Sequence, residues 1–228
     1  MKLIFKCSPN LGRVADNILN QCGEQALVDF VTYMNNRKEI FINIIKPLLI
    51  KEPIKAIMVI QQMMDMVIKK EKPDNIQCNN CKIANCCYLN LDIIMSERLV
   101  IMEYIKKLGH TLPSFLGKNE WERLNIQADY IKKIPKNKII SDEFAKLPVE
   151  YRKCIFLNND DKCSIYQIRP LRCRAFYVMN YTIKCDKNNP FLNLPFWYST
   201  EAEIMIDALS SFKKNYQFSA IMRDLHER

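Results

Sequence analysis

Apolar residues recur at steps of three and four from Leu11 to Met34, through Val14, Ala15, Ile18, Leu19, Cys22, Ala26, Leu27, Phe30 and Val31. That spacing predicts an amphipathic helix over residues 11–35. Cys22 falls on the stripe and is read as a buried core thiol. Residues 39–50 form a second apolar stretch, interrupted by Pro47. A third helix is expected from Pro53, a residue suited to a first helical turn, to Lys70. Its Met58, Met63, Met64 and Met66 are read as core packing. Lys72-Pro73-Asp74-Asn75 then breaks the pattern and marks a boundary. The chain therefore divides into a helical N-terminal module, residues 1–75, and a second domain, residues 76–228, that ends in a helix.

Within the second domain, Ser96 is placed to cap a helix running to Leu108, with Gly109 ending it. Residues 110–140 read as partly helical, with Trp121, Leu124, Ile126, Tyr130 and Ile131 turned inward. Two short β-prone runs, Cys154–Leu157 and Lys162–Tyr166, flank the turn Asn158-Asn-Asp-Asp161 and predict a hairpin. Arg169-Pro170 introduces a short helix or turn that carries Cys173. Thr200-x-x-Glu203 is a capping box for a helix over residues 201–214. The expected fold is mainly α, with a small irregular α+β cysteine-rich metal-binding core and an N-terminal helical extension.

Composition narrows the chemistry. The 228 residues include four glycines, Gly12, Gly23, Gly109 and Gly117, none clustered. Dinucleotide fingerprints, phosphate loops and nucleophile elbows all need clustered glycine and are excluded. The two histidines, His110 and His226, are too far apart for a His-x-x-x-His zinc site. Ten cysteines and a net charge of +9 remain in excess. The longest uncharged run, Asn188–Thr200, contains two prolines, so no membrane-spanning segment is expected. The N-terminal residues do not read as a signal peptide, which points to the cytoplasm. There thiols stay reduced and clustered cysteines signal metal or redox chemistry rather than a disulfide scaffold.

Eight of the ten cysteines fall in two groups of four. The first is Cys78-Asn-Asn-Cys81-Lys-Ile-Ala-Asn-Cys86-Cys87, and the second is Cys154, Cys163, Cys173 and Cys185. A Cys-x-x-Cys turn directs two thiolates to one side of a loop, as zinc and iron–sulfur sites require. Neighbouring Cys86 and Cys87 can share one tetrahedral ion only with strain. They suit two separate ions or two irons of a larger cluster. Cys7 and Cys22 stand apart from both groups.

These residues resemble the YkgJ-type cysteine-cluster proteins, described as zinc- or iron-chelating CxxCxxCC domains. The resemblance is carried by the Cys78–Cys87 run, Cys154-Ile-Phe-Leu, the block Cys163-Ser-Ile-Tyr-Gln-Ile-Arg-Pro-Leu-Arg-Cys173-Arg-Ala-Phe176 and the trailing Cys185. Ser96-Glu97 also resembles the start of the family's next helix. The resemblance covers about residues 76–188 and implies that the eight cysteines are the metal ligands. This chain departs in placing four residues between Cys81 and Cys86, where many members have two. The family includes flagellin lysine N-methylases, which are longer. They imply an alternative activity, S-adenosylmethionine-dependent methyl transfer to protein lysines, with S-adenosylmethionine as cofactor. No Gly-rich loop and no Cys-x3-Cys-x2-Cys run stands beside that implication. The preferred cofactors are an iron–sulfur cluster, such as 4Fe-4S, or zinc.

Arg169, Arg172 and Arg174 interleave with Cys173 and are expected to stabilise thiolate ligands by charge and hydrogen bonds. The net charge splits as +3 over residues 1–77, +7 over 78–195 and −1 over 196–228. Lys132, Lys133, Lys136 and Lys138 make the densest basic run. A zinc-stabilised module binding nucleic acid would carry such a run, but an ordinary solvated loop is the favoured reading. Phe191–Tyr198 is read as shielding the site or filling core. A protein partner or protein substrate is expected, and membrane insertion is not.

Overall fold

The computed structural model describes residues 9–71, 85–89, 91–160, 162–175 and 199–212, together with strand residues 177–178, 196–197 and 215–217. Cys7, Cys78, Cys81 and Cys185, the break at residues 72–75 and most of residues 191–198 lie outside the described residues. The fold is mainly α, and the chain forms two compact units.

The first unit comprises α1 (Pro9–Cys22), α2 (Glu24–Lys51), α3 (Pro53–Glu71) and, from the far end of the chain, α10 (Thr200–Phe212). The single stripe expected over residues 11–35 is divided at Gly23. Its φ of 88° and ψ of −180° belong to glycine alone, so the backbone turns there. Cys22, the last residue of α1, is exposed rather than buried, because the break carries it off the packed face. Pro47 does not interrupt α2. Buried Phe41, Ile45 and Leu49 hold the helix through the one missing backbone donor. In α3, Ile57, Ile60, Met64 and Ile68 form the buried face. Met58 and Met66 lie on the opposite side and are exposed, which corrects the core reading for those two.

The last helix belongs with these three and not with the cysteine-bearing unit in which the sequence placed it. Its apolar face joins the others through Ile204, which packs with Leu11 and Met34. Around that face Lys38 Nζ reaches Asp207 Oδ2 at 2.9 Å and Arg37 Nη2 reaches Glu201 Oε2 at 3.1 Å. The cap is Ser199, one residue before the expected Thr200. Its Oγ accepts the Ala202 N–H at 3.1 Å and donates to Glu71 Oε2 at 2.5 Å.

The second unit contains α4 (Met95–Lys107), α5 (Leu112–Leu116), α6 (Lys118–Lys133), α7 (Ile140–Phe144), α8 (Val149–Arg152) and α9 (Leu171–Ala175). Two antiparallel pairs complete it: β1 (Asp92–Ile94) with β4 (Asn215–Gln217), and β2 (Tyr177–Val178) with β3 (Phe196–Trp197). Gly109 ends α4 as expected. At φ 79° its N–H bonds Lys106 O, and the His110 N–H bonds Ile105 O. Ser96 does not cap α4; it is buried inside the first turn, and the Glu97 carboxylate reaches back to the Ile94 N–H instead. The core joins Ile101 and Ile105 of α4 to Leu112, Leu116, Leu124, Ile155, Phe156 and Ile165. A smaller cluster holds Ile131, Phe144 and Leu147. Trp121, Ile126 and Tyr130 are half-buried against these clusters. No described helix is long and apolar enough to cross a membrane.

Candidate metal centre

Two cysteine-bearing segments, those of Cys87 and Cys154, meet in the second unit. Cys87 lies in the 3-10 turn Asn85–Tyr88, anchored by buried Tyr88. Its carbonyl accepts the Cys154 N–H at 2.6 Å, joining segments 67 residues apart in sequence.

Each described cysteine of the second group is fixed by a polar side chain outside the cysteine motifs. Gln127, buried in α6, donates from Nε2 to Tyr151 O at 2.7 Å and Lys153 O at 2.8 Å. Those carbonyls belong to residues three and one positions before Cys154. Asn158 holds the turn before Cys163: its Oδ1 accepts the Asp160 N–H at 3.0 Å and the Lys162 N–H at 2.8 Å. The expected hairpin contracts to a single bridge between Leu157 and Cys163, followed by the 3-10 turn Tyr166–Ile168. The bridge is made by the Ser164 N–H donating to Phe156 O at 2.8 Å and the Asn158 N–H donating to Lys162 O at 3.0 Å, and the Ser164 Oγ also donates to Phe156 O.

Cys173 rides on α9, whose first residue is tied down by Glu97. Glu97 Oε1 accepts the Leu171 N–H at 2.7 Å, and Oε2 accepts the Ile94 N–H at 2.9 Å. Burial pushes its carboxyl up to about 7, against the opposing pull of those two N–H groups and of Arg172 and Arg174.

The three arginines divide their roles. Arg174 is buried and donates to the backbone, from Nε to Arg169 O at 3.0 Å and from Nη2 to Gln167 O. Arg169 stacks its guanidinium 4.4 Å from the centre of the Tyr166 ring. Arg172 places its charge in the field of Glu97. Arg174 and Arg169 thus tie the stretch around Cys173 back to residues 166–169. Lys132, Lys133, Lys136 and Lys138 are exposed.

Cys87, Cys154, Cys163 and Cys173 are half-buried. Cys86 shares the 3-10 turn, but its side chain is not among those described. Among the described residues no three His, Cys, Asp or Glu side chains form a group that could hold a metal ion. The surroundings nonetheless fit a thiolate–metal centre. Among the described residues of this unit, Arg98, Arg152 and Arg174 are buried against one buried carboxylate, Glu97, a balance that favours an anionic group nearby. Half-buried thiols are soft donors suited to zinc and iron alike.

The sequence reading passed over Gln127. Its signal was a polar residue inside the apolar stripe Leu124, Ala128 and Ile131 of α6. A position inward on that stripe demands a hydrogen-bond partner.

A family model, CxxCxxCC, described as "Putative zinc- or iron-chelating domain", matches residues 77–195. No curated protein and no solved structure matches the chain.

Proposed function

Since the chain belongs to the CxxCxxCC family of zinc- or iron-chelating domains, we propose that Cys78, Cys81, Cys86, Cys87, Cys154, Cys163, Cys173 and Cys185 furnish one shared metal centre, an iron–sulfur cluster that draws its thiolate ligands from both groups. The observation that carries this reading is the hydrogen bond from the Cys154 N–H to the Cys87 carbonyl, which sets one residue of each group side by side. Cys86 and Cys87 occupy consecutive positions of a 3-10 turn, a third of a turn apart. Such a pair suits two irons of one cluster better than one tetrahedral ion.

A bound cluster would supply one-electron chemistry and cross-link distant segments. The protein's own contribution is to hold its ligands ready. Gln127 fixes the approach to Cys154, Asn158 the turn before Cys163, and Glu97 the helix of Cys173. The hydrophobic cluster around Ile101 and Phe156 covers Cys154 and Cys163 from one side. Limiting water there strengthens the pull of nearby cations on thiolates.

Anaerobic purification followed by iron, zinc and acid-labile sulfide analysis tests the reading. Iron with an equivalent amount of sulfide is expected. Zinc without sulfide would overturn the cluster and leave a zinc-stabilised module, and metal-free protein would overturn the whole proposal.

A further inference from the structure

Arg98 carries a cation where its own helix disfavours one. It sits in the first turn of α4, at the positive end of the aligned peptide dipoles, and is only 6% exposed. Its Nε is fully buried, and among the described residues the guanidinium enters no hydrogen bond and no ion pair. Burial alone pulls its pKa down to about 10. Glu97 beside it spends both carboxylate oxygens on Ile94 and Leu171. A buried cation persists where an opposing charge faces it, so this one calls for an anion.

The packing indicates where that anion lies. Arg98, Ile101 and Ile105 recur at i, i+3 and i+7, one stripe of α4. Ile101 and Ile105 are fully buried and pack with Ile155, Phe156 and Ile165, the segment against which Cys154 and Cys163 also sit. From the same first turn Glu97 reaches α9, which carries Cys173. Arg98 therefore heads the stripe where three cysteine-bearing stretches converge. Four thiolates around one divalent ion leave a net charge of −2, the kind of anion the position demands.

We propose that Arg98 is the built-in counter-charge of the thiolate–metal centre, a positioning residue that favours the loaded state over the empty one. This rests on the metal-holding reading above. Its signature is a pair of effects of opposite sign. Without metal the buried cation is a burden, and with metal it is an asset.

The test compares wild type, Arg98→Met and Arg98→Lys as full chains, stripped of metal and titrated with Zn2+ against a chromophoric chelator. Arg98→Met is expected to bind Zn2+ about tenfold more weakly or worse, and Arg98→Lys to recover most of that loss. In the stripped chains the urea midpoint of Arg98→Met is expected to equal or exceed that of wild type. An arginine that merely supports the fold would lower that midpoint, and this result would overturn the assignment. Unchanged Zn2+ affinity in Arg98→Met beside a binding wild type would overturn it too. Failure of wild type both to bind Zn2+ and to carry iron when isolated anaerobically would overturn the metal-holding reading instead.

Discussion

Replacing Glu97 by alanine is expected to destabilise the cysteine-bearing unit by about 2–4 kcal/mol, since it leaves the N–H groups of two buried residues, Ile94 and Leu171, without their acceptor. The same change frees the first residue of α9 and with it the position of Cys173, so metal affinity should fall by about tenfold or more. Glu97→Gln keeps one acceptor oxygen but turns an amide NH2 toward the other N–H, and should lose roughly half as much stability. The pH dependence separates wild type from both variants, neither of which carries the titrating carboxyl. Burial raises the Glu97 carboxyl from 4.5 to about 7, so the folded chain holds this proton more tightly than the unfolded one. Its contribution to stability is therefore fully present below about pH 4.5 and is lost as pH rises toward about 7. Urea titrations in matched buffers should show the advantage of wild type over Glu97→Gln shrinking across that window and levelling off above it. An advantage that grows with pH there would contradict the assigned environment.

Phe156→Ala should be the most damaging apolar substitution near the site, at about 3–5 kcal/mol. Phe156 is 1% exposed, lies two residues after Cys154, and meets the Phe115 ring at 6.1 Å between centroids. Its carbonyl also receives the Ser164 N–H at 2.8 Å, so a cavity beneath it shifts the backbone that presents both cysteines. Ile139→Ala, at a side chain 66% exposed, should stay within about 0.5 kcal/mol. The comparison is read from urea midpoints, and a Phe156→Ala loss below about 1 kcal/mol would remove this residue from the supporting core.

What could be read along the chain was what local spacing encodes. Pro53 opening α3, Gly109 closing α4 and the short helix after Arg169-Pro170 all follow from backbone rules within a few residues. The cysteine groups were legible because ligand spacing is itself local. The supports were not. Glu97 acts on Leu171, 74 residues away, and Gln127 acts on carbonyls 24 and 26 residues away. No periodicity records such pairings. Likewise the capping pattern before Glu203 located a helix start but not the bundle that α10 joins, since an apolar face is equally ready for any complementary surface. Cys22 shows the converse failure, in which a stripe continued across Gly23 hid the turn that exposes it.

The proposed convergence of two cysteine groups on one centre is tested most directly by measuring metal per chain in anaerobically isolated Cys87→Ser and Cys173→Ser beside wild type. A shared centre predicts that either substitution, in the first group or the second, depletes the metal of the entire chain. Retention of about half the wild-type metal in each variant would instead indicate two independent sites and contradict the account.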